Sequence, residues 1–393
     1  MREILSLANR FYDRVVAHRR WLHAHPELSG QEKETAAYIA GCLREMGLEP
    51  RENVGGYGVT ALIEGRAPGR CAALRADFDA LPIEECTGLP FSSLHPGVSH
   101  SCGHDLHTAM LLGAALILTE LRGAFEGTVK LIFQPSEENA MDSGAKRMID
   151  DGVLTDPPVD AVFGQHVSPL CPSGKVTLRP GAMSSASDRF FFTVRGRSSH
   201  ASKPETGIDA IAVGSQVVSA LQTIVSRNVS PLESAVLTIG TVRAGTAYNA
   251  LAETYEAEGT CRNQNLEIRE AMPGRMESII RGVTEGMGAA YTFRYVKGYP
   301  PVINDPALFE LVQQAACDLI GRENVVPMAH ASLGGEDFSY YAQQVPGMFF
   351  HLGCRAEGTE FWPIHSGHFS PDEGAMRIGM ALLAASAVRF LSR

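Results

Sequence analysis

The chain has no CxxC pair, no long basic block and no internal repeat, and each absence removes a class of protein. Its eight cysteines, at 42, 71, 86, 102, 171, 261, 317 and 354, stand singly along 393 residues. That scatter speaks against a disulfide framework and suits a reducing compartment. Basic residues number 34 against 44 acidic, a net charge of −10, so neither nucleic acid nor an anionic membrane is an expected partner. No apolar run is read as reaching the ~18 residues of a membrane span. The N-terminus, charged from Arg2, lacks the pattern of a secretory signal, and Asn228 opens an NVS sequon that means little without secretion. The expectation is a cytoplasmic protein.

A chain of this length can bury a large core and predicts two domains. Helical spacing runs through "EILSLANRFYDRVVAHRRWLHAHPE" and stops at Pro26, and a second helix is capped at Ser29 and ends at Gly47. Short apolar runs at 70–76, 128–133 and 161–166 then alternate with helical segments, one of them at about 106–121. Such alternation predicts an α/β domain with a largely parallel sheet covered on both faces. From 187 the order becomes β-α-β-β-α-β, that of a split βαβ, ferredoxin-like motif. Long helices and the buried strand "GMFFHLG" follow. The simplest organisation is a discontinuous domain, 1–186 and 299–393, with an inserted domain at 187–298.

Candidate ligands gather where predicted strands end. Asp77 and Asp79 follow one strand, the adjacent Glu137 and Glu138 of "FQPSEEN" follow another, and His166 closes "AVFGQH". Open α/β sheets bind ligands beyond the carboxyl ends of their strands, so these loops can converge. Between them "SCGHDLHTAM" carries Cys102 and His104, two apart, a spacing that a helix would splay. The expected placement is a loop before the helix, with Asp105 as N-cap. There the helix dipole and any nearby cation favour the thiolate, and thiolate, imidazole and carboxylate together suit Zn²⁺ or another borderline divalent ion. Neighbouring carboxylates tolerate each other when one binds a cation. The other is then free to take the proton of a metal-bound water, whose pKa falls to about 7, and to pass it to a leaving amine.

Eight motifs in order carry a resemblance over nearly the whole chain: "LHAHPELSGQE", "RADFDALPI", "SCGHDLHTAMLLGAA", "FQPSEEN", "GQHV", "SSHASKPETGIDAI", "GGEDFSYY" and "HSGHFSPDE". Together they resemble the M20 metallopeptidases, in their amidohydrolase branch of hippurate, N-acyl-amino-acid and indole-acetyl-amino-acid hydrolases. The resemblance implies a catalytic domain with two divalent ions (Zn²⁺, Mn²⁺, Co²⁺ or Ni²⁺), an inserted lid that also dimerises, and small N-acyl amino acids as substrates. A homodimer, or a tetramer of dimers, is the implied assembly. By the same resemblance Cys102 bridges both ions, His104, Glu138, His166 and His365 are further ligands, and Glu137 is the general base. His200 of the lid is implied to stabilise the oxyanion in a neighbouring subunit's site, and Asn249 to lie near the substrate.

The chain departs from the family where glycines usually follow the glutamates, here Asn139, Ala140 and Met141. It departs again at Gly367, in the lid's "NALAE", and at Asp77, a His in more distant members. Asp77 and Asp79 are therefore read either as ligands or as groups that orient ligands. His107, one turn after His104, reads as structural or substrate-side, and His23 and His25 as capping the first helix or pairing with acids. Cys42, Cys71, Cys317 and Cys354 read as inert core thiols, and "GGYG" at 55–58 as a turn. A cysteine hydrolase built on Cys102 with His104 or His107 would leave Glu137, Glu138, His166 and His365 idle. A non-catalytic metal module would close a four-ligand site. Within the family, a dipeptidase or carboxypeptidase is the alternative to an amidohydrolase.

Overall fold

A computed structural model describes residues 1–392. The chain opens on α1 (Arg2–Ala24) and α2 (Lys33–Glu45), then β1 (Arg51–Val54), β2 (Gly58–Glu64), β3 (Cys71–Asp77), α3 (His104–Glu120) and β4 (Thr128–Gln134). Next come α4 (Gly144–Asp150), β5 (Ala161–Pro172), β6 (Val176–Leu178) and the short β7 (Gly181–Ala182). The middle holds β8 (Asp188–Arg195), α5 (Ala210–Thr223), β9 (Ala235–Ala244), β10 (Thr254–Asn263), α6 (Leu266–Gly286) and β11 (Ala290–Val296). Last are β12 (Ile303–Asn304), α7 (Pro306–Ile320), β13 (Val325–Pro327), α8 (Phe338–Ala342), β14 (Gly347–Arg355) and α9 (Met376–Leu391).

Two compact units result. The larger holds Met1–Met183, Val302–His330 and the chain from Asp337 onward; the smaller holds Ser184–Pro301 and Ala331–Glu336. The sequence reading put 299–393 wholly in the larger unit. Ala331–Glu336 goes with the smaller because Ser185 N–H donates to the Gly334 carbonyl and the Gln264 amide to that of Ala331. Such partners leave no trace in local composition.

In the larger unit eight strands lie in the order β1-β2-β4-β3-β5-β14-β6-β13. The centre, β4-β3-β5-β14, is parallel. β3 is buried throughout, and its alternate residues enter different cores: Ala72, Leu74 and Ala76 join the helices α1, α3 and α9, while Cys71 and Ala73 join α4 and α8. Helices on both faces explain why the strands read as continuous apolar runs. α3 approaches its neighbours closely at Gly113, where a Cβ would stand 2.6 Å from Met380 Sδ and 2.9 Å from Val15 Cγ2.

Two expectations about helices need correction. α2 starts at Lys33, not after a cap at Ser29, because the carboxylate of Glu27 accepts the N–H groups of Glu34 and Thr35. One segment, Glu373–Leu391, is after all long and apolar enough to cross a membrane, with a mean hydropathy of 1.4, but 72% of it is buried inside the protein. It packs on α1, α3 and α7, and a helix surrounded by others is apolar all round.

The smaller unit is an antiparallel sheet, β11-β8-β10-β9, with α5 and α6 packed against it. Phe190, Phe192, Val194, Val217, Met276 and Ile280 form its core. The expected β-α-β-β-α-β order is present, and β9 is an exposed edge strand.

Candidate metal centre and active site

The larger unit brings five of the expected ligands together. Ligand atoms of Cys102, His104 and His166 lie within 4.8 Å of one another, as do those of Cys102, Glu138 and His365, and those of His104, Glu137 and Glu138. Cys102 thus belongs to two sets at once. His104 opens α3 and follows Gly103, whose φ of 92° suits a residue without a Cβ. Asp105 is accordingly not the N-cap: it lies inside the first turn, and its carboxylate instead accepts from Arg19 Nε and His23 Nδ1, each at 2.8 Å. Glu137 and Glu138 follow Ser136, and His365 lies in the loop after β14. Ser136 and His365 both have left-handed backbones, with φ of 54° and 63°, and strain of this kind gathers at functional sites.

Hydrogen bonds decide which ring nitrogens are available. His104 Nδ1 donates to the Asp79 carbonyl at 2.9 Å, and His166 Nδ1 to the Val167 carbonyl at 2.7 Å. Each ring therefore has its Nε2 left for a ligand. That of His166 stands 3.3 Å from Cys102 Sγ; His365 Nε2 stands 3.3 Å from Glu138 Oε1. Such separations match two donors of one tetrahedral ion at bond lengths of about 2.0–2.3 Å. His104 Nε2 and Glu138 Oε1 are buried, 3.9 Å apart and without hydrogen-bond partners. Orphaned polar atoms facing across a gap too long for a hydrogen bond fit an ion between them.

His107 is a different case, for both of its nitrogens are engaged. Nδ1 donates to Asp77 Oδ1 at 2.6 Å and Nε2 accepts the N–H of Val167 at 2.9 Å. Asp77 accepts from Arg75 on its other oxygen at 2.7 Å. Asp79 takes Ser29 Oγ at 2.7 Å and the Glu138 N–H at 2.9 Å. Both aspartates are thus hydrogen-bonded to groups around the cluster, as residues that orient ligands would be. Sequence reading gave no role to Arg75, Gln134 or Asp337. Arg75, buried, bonds Gln134, Asp77 and Asp337 at once, while Asp337 N–H donates to Glu137 Oε1 at 3.4 Å. The sequence signal was their place in the motifs "RADFDALPI", "FQPSEEN" and "GGEDFSYY", none of which gave these three residues a task.

The electrostatics call for a cation. Burial alone would lower the pKa of His104, but Asp77, Asp79 and Glu138 outweigh it and push it up to about 10. Burial, with Glu138 and Glu137 beside it, raises the Cys102 thiol well above its usual value. Burial and the neighbouring His107 hold His166 neutral. Near pH 7 the ion-free site therefore holds a protonated Cys102 thiol and a second proton on His104, at Nε2, and these two protons would leave if both groups became ligands. We expect metal binding to release about two protons near neutral pH, so that affinity rises as pH rises. Calorimetry in buffers of different ionisation enthalpy measures this, and binding without proton release would count against Cys102 and His104 as ligands.

His200 and Asn249 lie in the smaller unit. The Ala201 N–H donates to the Asn249 carbonyl at 3.0 Å, and the exposed His200 accepts at Nδ1 from Ser202 N–H at 3.1 Å. Its Nε2 consequently carries the proton. His23 and His25 behave as read: the first bonds Asp105 and Glu85, the second caps α1 on the Trp21 carbonyl. Among the core thiols, Cys317 is only partly buried.

The family model for peptidase family M20/M25/M40 matches residues 73–389. The chain is 41% identical over 382 residues to N-acetylcysteine deacetylase of Bacillus subtilis (strain 168), covering 96% of this chain and 97% of that one. It is 45% identical over 302 residues to N-acyl-L-amino acid amidohydrolase of Geobacillus stearothermophilus, covering 77% and 81%. A solved Bacillus subtilis structure, described as a dinuclear metal binding peptidase from the M20 family, matches with a TM-score of 0.86 and 38% identity over 98% of this chain and 99% of that one. Because the family match spans the whole cluster from Asp77 to His365, this chain belongs to peptidase family M20/M25/M40 and is a hydrolase.

Proposed function

We propose that this protein is a metal-dependent amidohydrolase that cleaves N-acyl amino acids to a carboxylic acid and a free amino acid. One observation carries the reading: Glu137 and Glu138 lie together at His104 within 4.8 Å, so one carboxylate can serve as ligand while the other remains for proton transfer. Two divalent ions held by Cys102, His104, Glu138, His166 and His365 would polarise the amide carbonyl and acidify water. Glu137 accepts the water's proton and delivers it to the leaving nitrogen. The N–H of Asp337 restrains its carboxylate. The mixed sulfur, nitrogen and oxygen donor set suits Zn²⁺, Mn²⁺, Co²⁺ or Ni²⁺. The relatives' names, a deacetylase of N-acetylcysteine and an amidohydrolase of N-acyl-L-amino acids, support the substrate class.

The test is a panel of N-acetyl, N-benzoyl and indole-acetyl amino acids and of dipeptides, assayed after chelation and reloading with each ion. We expect chelation to abolish activity, reloading to restore it, and N-acyl amino acids to be preferred. Turnover that survives exhaustive chelation, or dipeptides as the sole substrates, would overturn the proposal.

The Cys102–His166 pair at 3.3 Å invites a thiol-hydrolase reading. Burial and two neighbouring glutamates hold that thiol protonated, the opposite of what a nucleophile needs. In the metal-loaded enzyme the buried Cys102 would be shielded by the ions it holds, so alkylating agents should leave that form active.

We assign the smaller unit as lid and dimerisation domain, with a homodimer, or a tetramer of dimers, as the assembly. The exposed edge of β9 is the kind of surface that a second chain covers. His200, with its proton on Nε2, is suited to stabilise the oxyanion in a partner's site, and Asn249 lies beside it in the substrate's surroundings. Mixing inactive His200→Ala with inactive Glu137→Ala should give hybrid dimers with one intact site and partial activity. Mixtures that exchange subunits yet stay inactive would exclude action in trans. All eight cysteines are free, and we place the enzyme in the cytoplasm.

A further inference from the structure

The segment from Glu27 to Glu32 contains side chains that leave their local tasks to others. Glu32 is the N-cap residue of α2, where a side chain ordinarily accepts from the first turn, yet it makes no such bond. Glu27 does so instead, taking Glu34 N–H at 3.1 Å and Thr35 N–H at 2.7 Å. Glu32, fully buried, is thereby released to reach the loop after β4, where one of its oxygens accepts the Ser136 N–H at 2.8 Å and the Ser136 hydroxyl at 3.0 Å. Its other oxygen has no hydrogen-bond partner. A buried carboxyl with an orphaned oxygen is costly, and packing alone would be served better by an apolar side chain.

What Glu32 holds is the strained residue immediately before the glutamate pair. A φ of 54° at Ser136 is a conformation that residues with a Cβ avoid. Arg147 adds a bond to the Ser136 hydroxyl at 2.9 Å. The same segment reaches Glu138, since Ser29 donates to Asp79 Oδ2, which accepts the Glu138 N–H.

We propose that Glu32 is a positioning residue, which clamps the left-handed turn at Ser136 and through it sets the direction of Glu137. The inference rests on the reading of Glu137 as the base. Glu32 touches no reacting atom; it acts only through Ser136.

The experiment compares the full-length, metal-loaded variants Glu32→Gln, Glu32→Leu, Ser136→Gly and the double variant Glu32→Leu/Ser136→Gly. Glutamine keeps the accepting oxygen and should stay close to the unaltered enzyme. Leucine removes the clamp, and a misdirected base should lower kcat about 10²-fold while KM and bound metal change little. Glycine adopts the left-handed turn without penalty, so adding Ser136→Gly to Glu32→Leu should restore kcat about tenfold. A purely structural role would show lowered Tm without this recovery. An undiminished kcat in Glu32→Leu, the absence of rescue by Ser136→Gly, or a loss of metal in step with kcat would overturn the proposal. Should Glu32→Leu not fold, Glu32→Asp, one methylene too short to reach, takes its place with the same expectations. Should Glu137→Gln keep full turnover, it is the base that has been misassigned. The clamp is then judged by hydrogen exchange at the Ser136 amide: protection lost in the leucine variant but kept in the glutamine variant supports it, and unchanged protection overturns it.

Discussion

Glu137→Gln should keep its metal and lose turnover, whereas Glu138→Gln should lose both together. The two side chains are neighbours in sequence and lie in one cluster with His104, so similar losses of activity would say nothing about their tasks. Their surroundings differ. Glu138 Oε1 lies 3.3 Å from His365 Nε2 and faces His104 Nε2 at 3.9 Å, with no hydrogen bond of its own. Glu137 Oε1 accepts a backbone N–H. If Glu138 is a ligand as proposed, glutamine in its place would remove the charge that offsets an ion and weaken coordination. In place of Glu137 it keeps the shape but cannot take a proton. General acid-base catalysis is worth about 10²–10⁴-fold, and a single group serving both water and leaving amine belongs at the upper end or beyond. Substrate affinity should change little, because proton transfer belongs to the transition state. Bound metal and single-turnover rates for both variants settle the assignment: metal lost from Glu137→Gln and kept in Glu138→Gln would reverse it.

Cys102→Ser is expected to lose at least one ion and nearly all activity. Cys102 is the one residue shared by the set with His104 and His166 and the set with Glu138 and His365. Its thiol stays protonated when no ion is present, and a divalent ion held there would displace that proton, because a coordinated thiol is deprotonated outright. A serine hydroxyl starts from a far higher pKa and holds its proton near neutral pH, so the shared position would lack an anion. Full metal content and turnover in purified Cys102→Ser would exclude the bridging role.

Much of this protein was legible because local patterns record local burial. β3 is buried on both faces and reads as a continuous apolar run; β10 alternates exposed and buried residues as a half-covered strand does. Both domains' fold classes therefore follow from periodicity, and the motif order pointed to the loops that meet. Where sequence reading erred, a long-range partner had replaced a local one. Ser29 resembles a helix cap but bonds Asp79, and Asp105 resembles one but bonds Arg19 and His23. Both side chains have the right chemistry for capping, and only the folded chain shows which acceptor or donor reaches them first.

The sequence by itself determined the classes of element, their order, and the residue types able to hold a divalent ion. Tertiary structure alone decided which nitrogen of His104 and of His166 is left for a ligand, and that both nitrogens of His107 are engaged. It also decided that Glu27 caps α2 while Glu32 reaches Ser136, and that Arg75 bonds both its near neighbour Asp77 and Asp337, 262 positions away in sequence. The physical reason is one of range. Hydrophobic burial is non-directional and repeats with the period of the element, so it is written along the chain. A hydrogen bond demands one partner at about 3 Å in one direction, and that partner is chosen only when the sheet brings distant residues together.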